Sequence, residues 1–481
     1  MPSKTAKPSL PKSDVIVVGS GPNGLAAAIR MAQAGRSVLV IEAEEQPGGG
    51  VRSQELTRPG FIHDVCSSVY PMAVSSPYFK ILPLHEHGLE WIYPPAAVAH
   101  PLDDGTAAVL YSSLEDTARQ LGPDAGNYKA LFSDFVARWD ELIEDALAPL
   151  RIPKHLLLYA RFGKHAIRSA RSLARAYFKT ERARALLSGI AAHAVLPLEK
   201  LATGGFALVL AISGHARGWP FARGGAQQLT NALLSLLRSL GGQVVTGYTV
   251  ESLDELPPAR NVFLEVTPRQ LLKMGSDRLP ESYNQQLRKY RYGMGAFKMD
   301  WALDGPVPWR APECALAGTL HLGGSLDEIS DSERQAWQGK ASDRPFVLAA
   351  QPSVFDPSRA PAGKHTLWAY CHVPNGSQQN MVHAIEKQIE RFAPGFRDCI
   401  VARSVLAPAD LEKHNPNLIG GDFSGGAATL DQLFFRPTAS MYKTPLRGVY
   451  LCSSSTPPGG GVHGMCGFYA AEAALKVDKS S

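Results

Sequence analysis

Three groups of residues have types and spacings that chemistry can use. The first is Gly19-Ser20-Gly21-Pro22-Asn23-Gly24, which follows a β-branched run at 14–18 and precedes a helix-forming run at 25–32. In such a strand–turn–helix Gly19 permits the tight turn, Gly21 lets backbone approach a diphosphate and Gly24 lets helix and strand pack closely. The helix N-terminus at Pro22 and Asn23 offers N–H groups and its dipole to phosphates. A second strand at 37–41 ends at Glu42, 18 residues beyond Gly24, with Ala43 after it. A carboxylate there accepts ribose hydroxyls and disfavours a 2′-phosphate, so the nucleotide expected is FAD or NAD and not NADP. The second group, Gly459-Gly460-Gly461-Val462-His463-Gly464, repeats the glycine spacing, but it follows Pro457-Pro458 and only 17 residues come after it. No second βαβ unit fits there. The sequence predicts one dinucleotide fold, no separate NAD(P)H module, and a glycine loop leading into a last helix at 468–475. One nucleotide with amides at both ends of the chain suits FAD, since donors at a flavin's pyrimidine edge stabilise the reduced, anionic ring. His463 would donate to the flavin or a substrate carbonyl, or satisfy the loop backbone.

The third group is smaller. Lys298 stands between Phe297 and Met299 in an apolar run. Burial would lower its pKa and make it a base, whereas an edge-strand lysine facing solvent is the bland alternative. His63-Asp64 follows the Gly60-Phe61 turn and could line a site entrance; as strand neighbours the two face opposite ways, which argues against a dyad. There is no hydrolase elbow, no H-E-x-x-H and no Walker loop. The six cysteines are widely spread without metal-like spacing, so they read as reduced thiols and no metal is expected.

These residues need large elements to hold them. At 481 residues and 45% hydrophobic composition the chain has length for two or three domains and a sizeable core, and disorder is excluded. The longest uncharged apolar run, 206–212, is far too short to span a bilayer. Residues 1–13 read as a disordered, Lys/Pro-rich lead-in without a signal peptide's apolar stretch, and a cytoplasmic location is the default expectation. Within 151–184 there are ten Lys/Arg against one acid, Glu181, so the formal charge of +5 is a local +9 on an otherwise slightly acidic chain. From Arg161 to Arg182 the basic residues recur at helical spacing opposite an apolar face. A basic amphipathic helix over 161–182 suits peripheral contact with an anionic membrane, with an ordinary solvated face as the alternative. Nothing points to nucleic acid.

Glu42 followed by Glu45-Gln46-Pro47-Gly48-Gly49 resembles the acid and paired-glycine extension of the glutathione-reductase-like FAD fold of amine oxidases and phytoene desaturases. Three stretches resemble the phytoene-desaturase-like branch, which includes the vertebrate-type pyridine nucleotide-disulphide oxidoreductase-like proteins. They are Gly218-Trp219-Pro220-Phe221-Ala222-Arg223-Gly224-Gly225, the run 292–309 around Lys298, and 448–464. The resemblance implies an α/β fold: a Rossmann FAD domain from discontinuous segments (10–75, 220–275 and 437–481) with an inserted α+β substrate domain (76–219 and 276–436). It implies a further FAD-domain strand pair over 242–250, a strand at 261–266, and adenine contact by the backbone at Val250. Flavin contacts carry over to Gly49, Gly50, Ser454, Gly461, Val462, His463 and Gly464. Arg52, separated from the paired glycines by Gly50 and Val51, is either a diphosphate ligand or a surface arginine. Lys298 resembles by context the amine-oxidase lysine that orients a water near flavin N5.

The resemblance thus implies an FAD-dependent oxidoreductase removing two hydrogens from a hydrophobic, lipid- or isoprenoid-like substrate by hydride transfer to N5. Amine oxidation, isomerisation and a low-turnover flavin scaffold remain open. An amine oxidase needs an aromatic pair at the flavin, for which Tyr450 and Tyr469 are loose candidates. The electron acceptor, whether oxygen, a quinone or a carrier protein, is unspecified.

Overall fold

The computed structural model describes residues 10–480, so the greater part of the expected lead-in, residues 1–9, lies outside the described residues. Leu10 is half-buried and packs on the core formed by Ile16, Leu39 and Leu264.

The run at 14–18 forms a four-residue strand, Val15–Val18, buried on both faces as a central parallel strand must be. It lies at the middle of a five-stranded parallel sheet. The order is Val449–Leu451, Asn261–Leu264, Val15–Val18, Val38–Ile41 and Gln243–Val245. The chain leaves the central strand through the glycine turn, climbs the helix Pro22–Gln33 and returns on one side as Val38–Ile41, while Asn261–Leu264 fills the other side. That reversal of strand order opens a crevice at the carboxyl ends of the strands. The alanine-rich helix is buried along most of its length against Gln227–Ser239 and the last helix, Met465–Ser480.

A second sheet has seven strands in the order Ile400–Leu406, Gly295–Leu303, His365–Val373, Val347–Ala350, Ala317–Leu322, Ala96–Pro101 and Ala107–Tyr111. Its pairings are antiparallel except for Ala317–Leu322 with Ala96–Pro101. The fold is mixed α/β, with a Rossmann-like parallel sheet beside this larger one.

Several expectations change. The stretch 242–250 gives one strand, Gln243–Val245, and not a pair. Beyond it the positive φ at Gly247 (+67°) turns the chain, and the Tyr248 N–H donates to the Glu42 carbonyl outside any ladder. The strand at 261–266 stops at Leu264, and the last helix starts earlier than 468 and runs longer. The basic helix over 161–182 is three helices: Leu156–Ala166, Ala170–Tyr177 and Glu181–Ala191. Each restart is fixed by a hydroxyl cap, Ser169 Oγ accepting the Ser172 N–H at 3.2 Å and Thr180 Oγ1 the Ala183 N–H at 3.3 Å. The basic residues therefore share no single helical face. Arg161 pairs with Asp134, Arg171 with Glu199, and Arg175 with Asp327.

Candidate active site

A cavity of about 910 Å³ opens at the switch point and extends from the parallel sheet onto the face of the larger one. Its cofactor-side wall contains Gly19, Gly21, Pro22, Asn23, Glu42, Ala43, Gly49, Gly50, Arg52, Val250, Ser454, Gly461 and Val462. Distant parts of the sequence thus meet around one space. Three expected residues, Gly24, His463 and Gly464, do not line it. Gly24 is needed for packing: a Cβ there would stand 2.3 Å from the Gly19 carbonyl. Gly464 has φ +68° and lies against the Phe79 ring, 2.4 Å from where its Cβ would be.

Of the two alternatives for His463, its placement favours satisfaction of the loop backbone. The ring is buried, its Nδ1 accepts the Met465 N–H at 3.0 Å at the start of the last helix, and burial pushes its pKa down to about 4. A neutral imidazole turned onto its own loop satisfies backbone.

Glu42 Oε2 accepts the Ser20 N–H at 2.9 Å and the Ser20 hydroxyl, and Oε1 accepts the Glu44 N–H at 3.0 Å. The carboxylate is thereby oriented at the cavity wall with lone pairs left for hydroxyl donors. Arg52 is 2% exposed, so it is no surface arginine. Its guanidinium donates to the carbonyls of Gly49 (3.0 Å) and His414 (3.0 Å) and meets His414 Nε2 at 2.7 Å.

A residue outside every sequence motif, Glu265, directly follows the strand Asn261–Leu264. Its carboxyl lies inside the glycine turn: Oε1 accepts the Asn23 N–H at 3.1 Å, and a Cβ on Gly21 would come within 2.5 Å of it. An acidic group thus lies beneath the turn and takes one amide at the helix N-terminus. The turn is an anion site by construction, and its donor set fits the diphosphate of a dinucleotide.

At the far side, Lys298 lies on Gly295–Leu303, an interior strand between His365–Val373 and Ile400–Leu406. It is 3% exposed and lines the cavity. Its ammonium is paired with Asp300 and sits 5.9 Å from the centre of the Trp368 ring. The edge-strand lysine facing solvent is thereby excluded; the side chain is buried, and the Asp300 carboxylate two residues on, along the same face of the strand, faces its charge. Burial raises Asp300 to about 6 against the pull of Lys298.

His63 and Asp64 are set behind the cavity wall rather than at its entrance. His63 Nδ1 is 3.6 Å from Asp300 Oδ1, and burial holds its pKa down to about 3, whereas Asp64 faces Arg359 at 2.8 Å. Tyr450 and Tyr469 also fail to reach the cavity. Tyr450 stacks on Phe263 in the core, ring centres 5.4 Å apart, and Tyr469 packs on Phe468. Aromatic pairs that do line it include Trp368 and Tyr370, centroids 5.3 Å apart at 81°, and Tyr159 and Phe162, 6.1 Å apart. His193 lines it too, with Nε2 3.0 Å from His321 Nε2. Among the described residues no group of three or more His, Cys, Asp or Glu could hold a metal ion.

A parallel sheet with a glycine-turn anion site, opening into a chamber shared with a second sheet, defines a dinucleotide-dependent enzyme. Comparison with known proteins makes the class specific. The FAD dependent oxidoreductase family matches residues 14–270, more than half of the chain, and the protein belongs to that family. It is 26% identical to the rat (Rattus norvegicus) pyridine nucleotide-disulfide oxidoreductase domain-containing protein 2, with 96% of this chain and 93% of the relative covered. It is 23% identical to the lycopene-forming phytoene desaturase of Paracoccus sp., covering 96% and 97% of the two chains. Among solved structures, putrescine oxidase bound to putrescine shares the fold with a TM-score of 0.62 at 17% identity, covering 98% of this chain and 100% of that one. The cofactor is FAD and the protein is an FAD-dependent oxidoreductase.

Proposed function

We propose that this oxidoreductase dehydrogenates a hydrophobic, lipid- or isoprenoid-like substrate. The observation that carries the reading is the chamber itself, whose lining is predominantly apolar beyond the glycine turns and includes Tyr159, Phe162, Val209, Leu210, Leu348 and Phe423. FAD, when bound, supplies the two-electron acceptor. The chain's residues do the rest. The glycine turns and Glu42 fix the cofactor, the apolar walls hold a C–H bond close and exclude water, and Lys298, held by Asp300, donates a hydrogen bond to a water or polar substrate atom. Full-length similarity to a protein named phytoene desaturase supports this substrate class.

Three observations support collection of that substrate from a membrane surface. Leu150, Ile152, Leu156 and Leu157 are 53%, 85%, 58% and 81% exposed. This patch is continuous with the chamber, since Leu150, Pro153, Tyr159 and Ile167 line it. Lys164 and Arg168 next to the patch carry no ion pair among the described residues and suit anionic headgroups. The contact thus centres on 150–157 rather than on a helix over 161–182.

Amine oxidation is a second reading, favoured by the Trp368–Tyr370 pair and the shared fold of putrescine oxidase. Anaerobic mixing of the yellow holoprotein with carotenoid precursors, fatty acyl compounds and amines decides between them. Bleaching of the flavin band by an isoprenoid or acyl compound is expected; bleaching by amines alone would transfer the assignment to amine oxidation, and bleaching by none would favour a low-turnover scaffold.

A further inference from the structure

Glu265 is out of keeping with its surroundings. It ends a buried strand, Asn261–Leu264, whose continuation Val266-Thr267-Pro268 leads directly into the helix Pro268–Gly275. A small apolar residue would fit that place beneath a glycine turn. Instead a carboxyl fills the space that all three fingerprint glycines leave: Cβ atoms on Gly19, Gly21 and Gly24 would meet Glu265 atoms at 3.0, 2.5 and 2.5 Å. Its Oε1 takes the Asn23 N–H, while Oε2 is buried without a hydrogen-bond partner. An unpartnered buried carboxyl oxygen is costly to leave, and this one lies beneath the glycine turn, the feature that suits a dinucleotide's diphosphate.

We propose that Glu265 is a cofactor-binding residue: its neutral carboxyl forms the floor of the diphosphate site, Oε2 donating its proton to a diphosphate oxygen, and its ionisation weakens FAD binding. The inference rests on the assignment of FAD as cofactor and adds to it a residue and a pH dependence.

The electrostatics agree. Burial drives the Glu265 pKa up to about 8, with the Glu42 carboxylate adding to the rise and the amides of Gly24, Asn23 and Gly21 opposing it. The other titratable groups acting on the same place are the thiols of Cys452 and Cys466, both raised by burial and so uncharged. From the remaining side, Asn417 donates to the Glu265 carbonyl at 2.8 Å and is uncharged. Arg52, Lys273 and Arg436 line the same cavity, yet none forms an ion pair with Glu265 among the described residues. The folded-state pKa lies above that of a free carboxyl, so the neutral donor is present at pH 7 and is lost as pH rises through about 8. An ionised Glu265 would face a diphosphate as a like charge.

The test measures the FAD dissociation constant of the full-length protein by flavin fluorescence from pH 6.5 to 9.5, for wild type, Glu265→Gln and Glu265→Ala. Wild type should weaken by about tenfold per pH unit above 8. Glu265→Gln, which keeps a donor but cannot ionise, should bind with a flat profile. Glu265→Ala gives the same flat profile if the amide variant fails to fold. A flat wild-type profile, or a variant with the wild-type slope, overturns the role of Glu265 and leaves FAD as cofactor intact. A protein that takes up no flavin at any pH overturns the cofactor assignment as well.

Discussion

Lys298 and Asp300 show how a single side chain's environment is written two residues away. Both are buried, so removing one partner leaves an uncompensated charge. Lys298→Met should destabilise the holoprotein by about 3–5 kcal/mol, and the double variant Lys298→Met/Asp300→Leu by clearly less, because a paired buried ion can be replaced by apolar packing with little loss. Thermal melting of the two proteins measures the difference; equal losses would show that the charges do not depend on each other. Lys298 was legible, since a lysine is conspicuous in an apolar run; its partner Asp300 was not singled out, although it stands at the spacing of one strand face. Glu265 carries the same signal, an acid after Val262-Phe263-Leu264, but a glycine fingerprint does not itself encode what lies beneath it. Trp368, Tyr370 and His193 gave no local signal. Their arrival at the cavity depends on which strands pair, and no spacing within their own segments encodes that. His463 misled for the opposite reason: a residue in a glycine loop invites a functional role, while the loop's own N–H groups compete for its ring.

At the scale of elements, the three helices between 156 and 191 teach a similar lesson. Counting charges at 100° per residue extends one helix across Ser169 and Thr180, both of which are good N-caps ahead of helix formers. The caps win, because each supplies an acceptor to amides that would otherwise be orphaned. Asp124 reinforces the second break, accepting the N–H groups of Lys179 and Thr180 at 2.8 Å each. Ser169→Ala and Thr180→Ala should each cost about 1 kcal/mol in denaturant unfolding. Asp124→Ala should cost more, because it leaves two amides without their acceptor. No loss from Thr180→Ala would mean that Asp124 alone sets the break. The five-stranded sheet was more accessible to sequence reading, because a glycine turn between an apolar strand and a helix fixes three elements at once. The seven-stranded sheet was not, since its neighbours come from segments as far apart as 96–101 and 317–322.

At the scale of the whole molecule, the chamber joins the glycine turns to the exposed apolar patch at 150–157, and no helix among the described residues is long and apolar enough to cross a membrane. The double variant Ile152→Glu/Leu157→Glu should lower co-sedimentation with anionic liposomes at least tenfold while its flavin content is unchanged; undiminished binding would remove the patch from the membrane contact. The same architecture ties the two ends of the fold together. Gly467 lies so close to the first helix that a Cβ on it would stand 1.7 Å from the Asn23 carbonyl, and the strand Val449–Leu451 borders Asn261–Leu264, itself beside Val15–Val18. The flavin site therefore cannot be completed in the order in which the chain is made. A ribosome has added more than 430 residues after the turn at 19–24 before the glycine loop at 459–461 can reach it. Until then the fingerprint is a half-built cradle, and the flavin is a ligand that can close the structure only once that loop has been made.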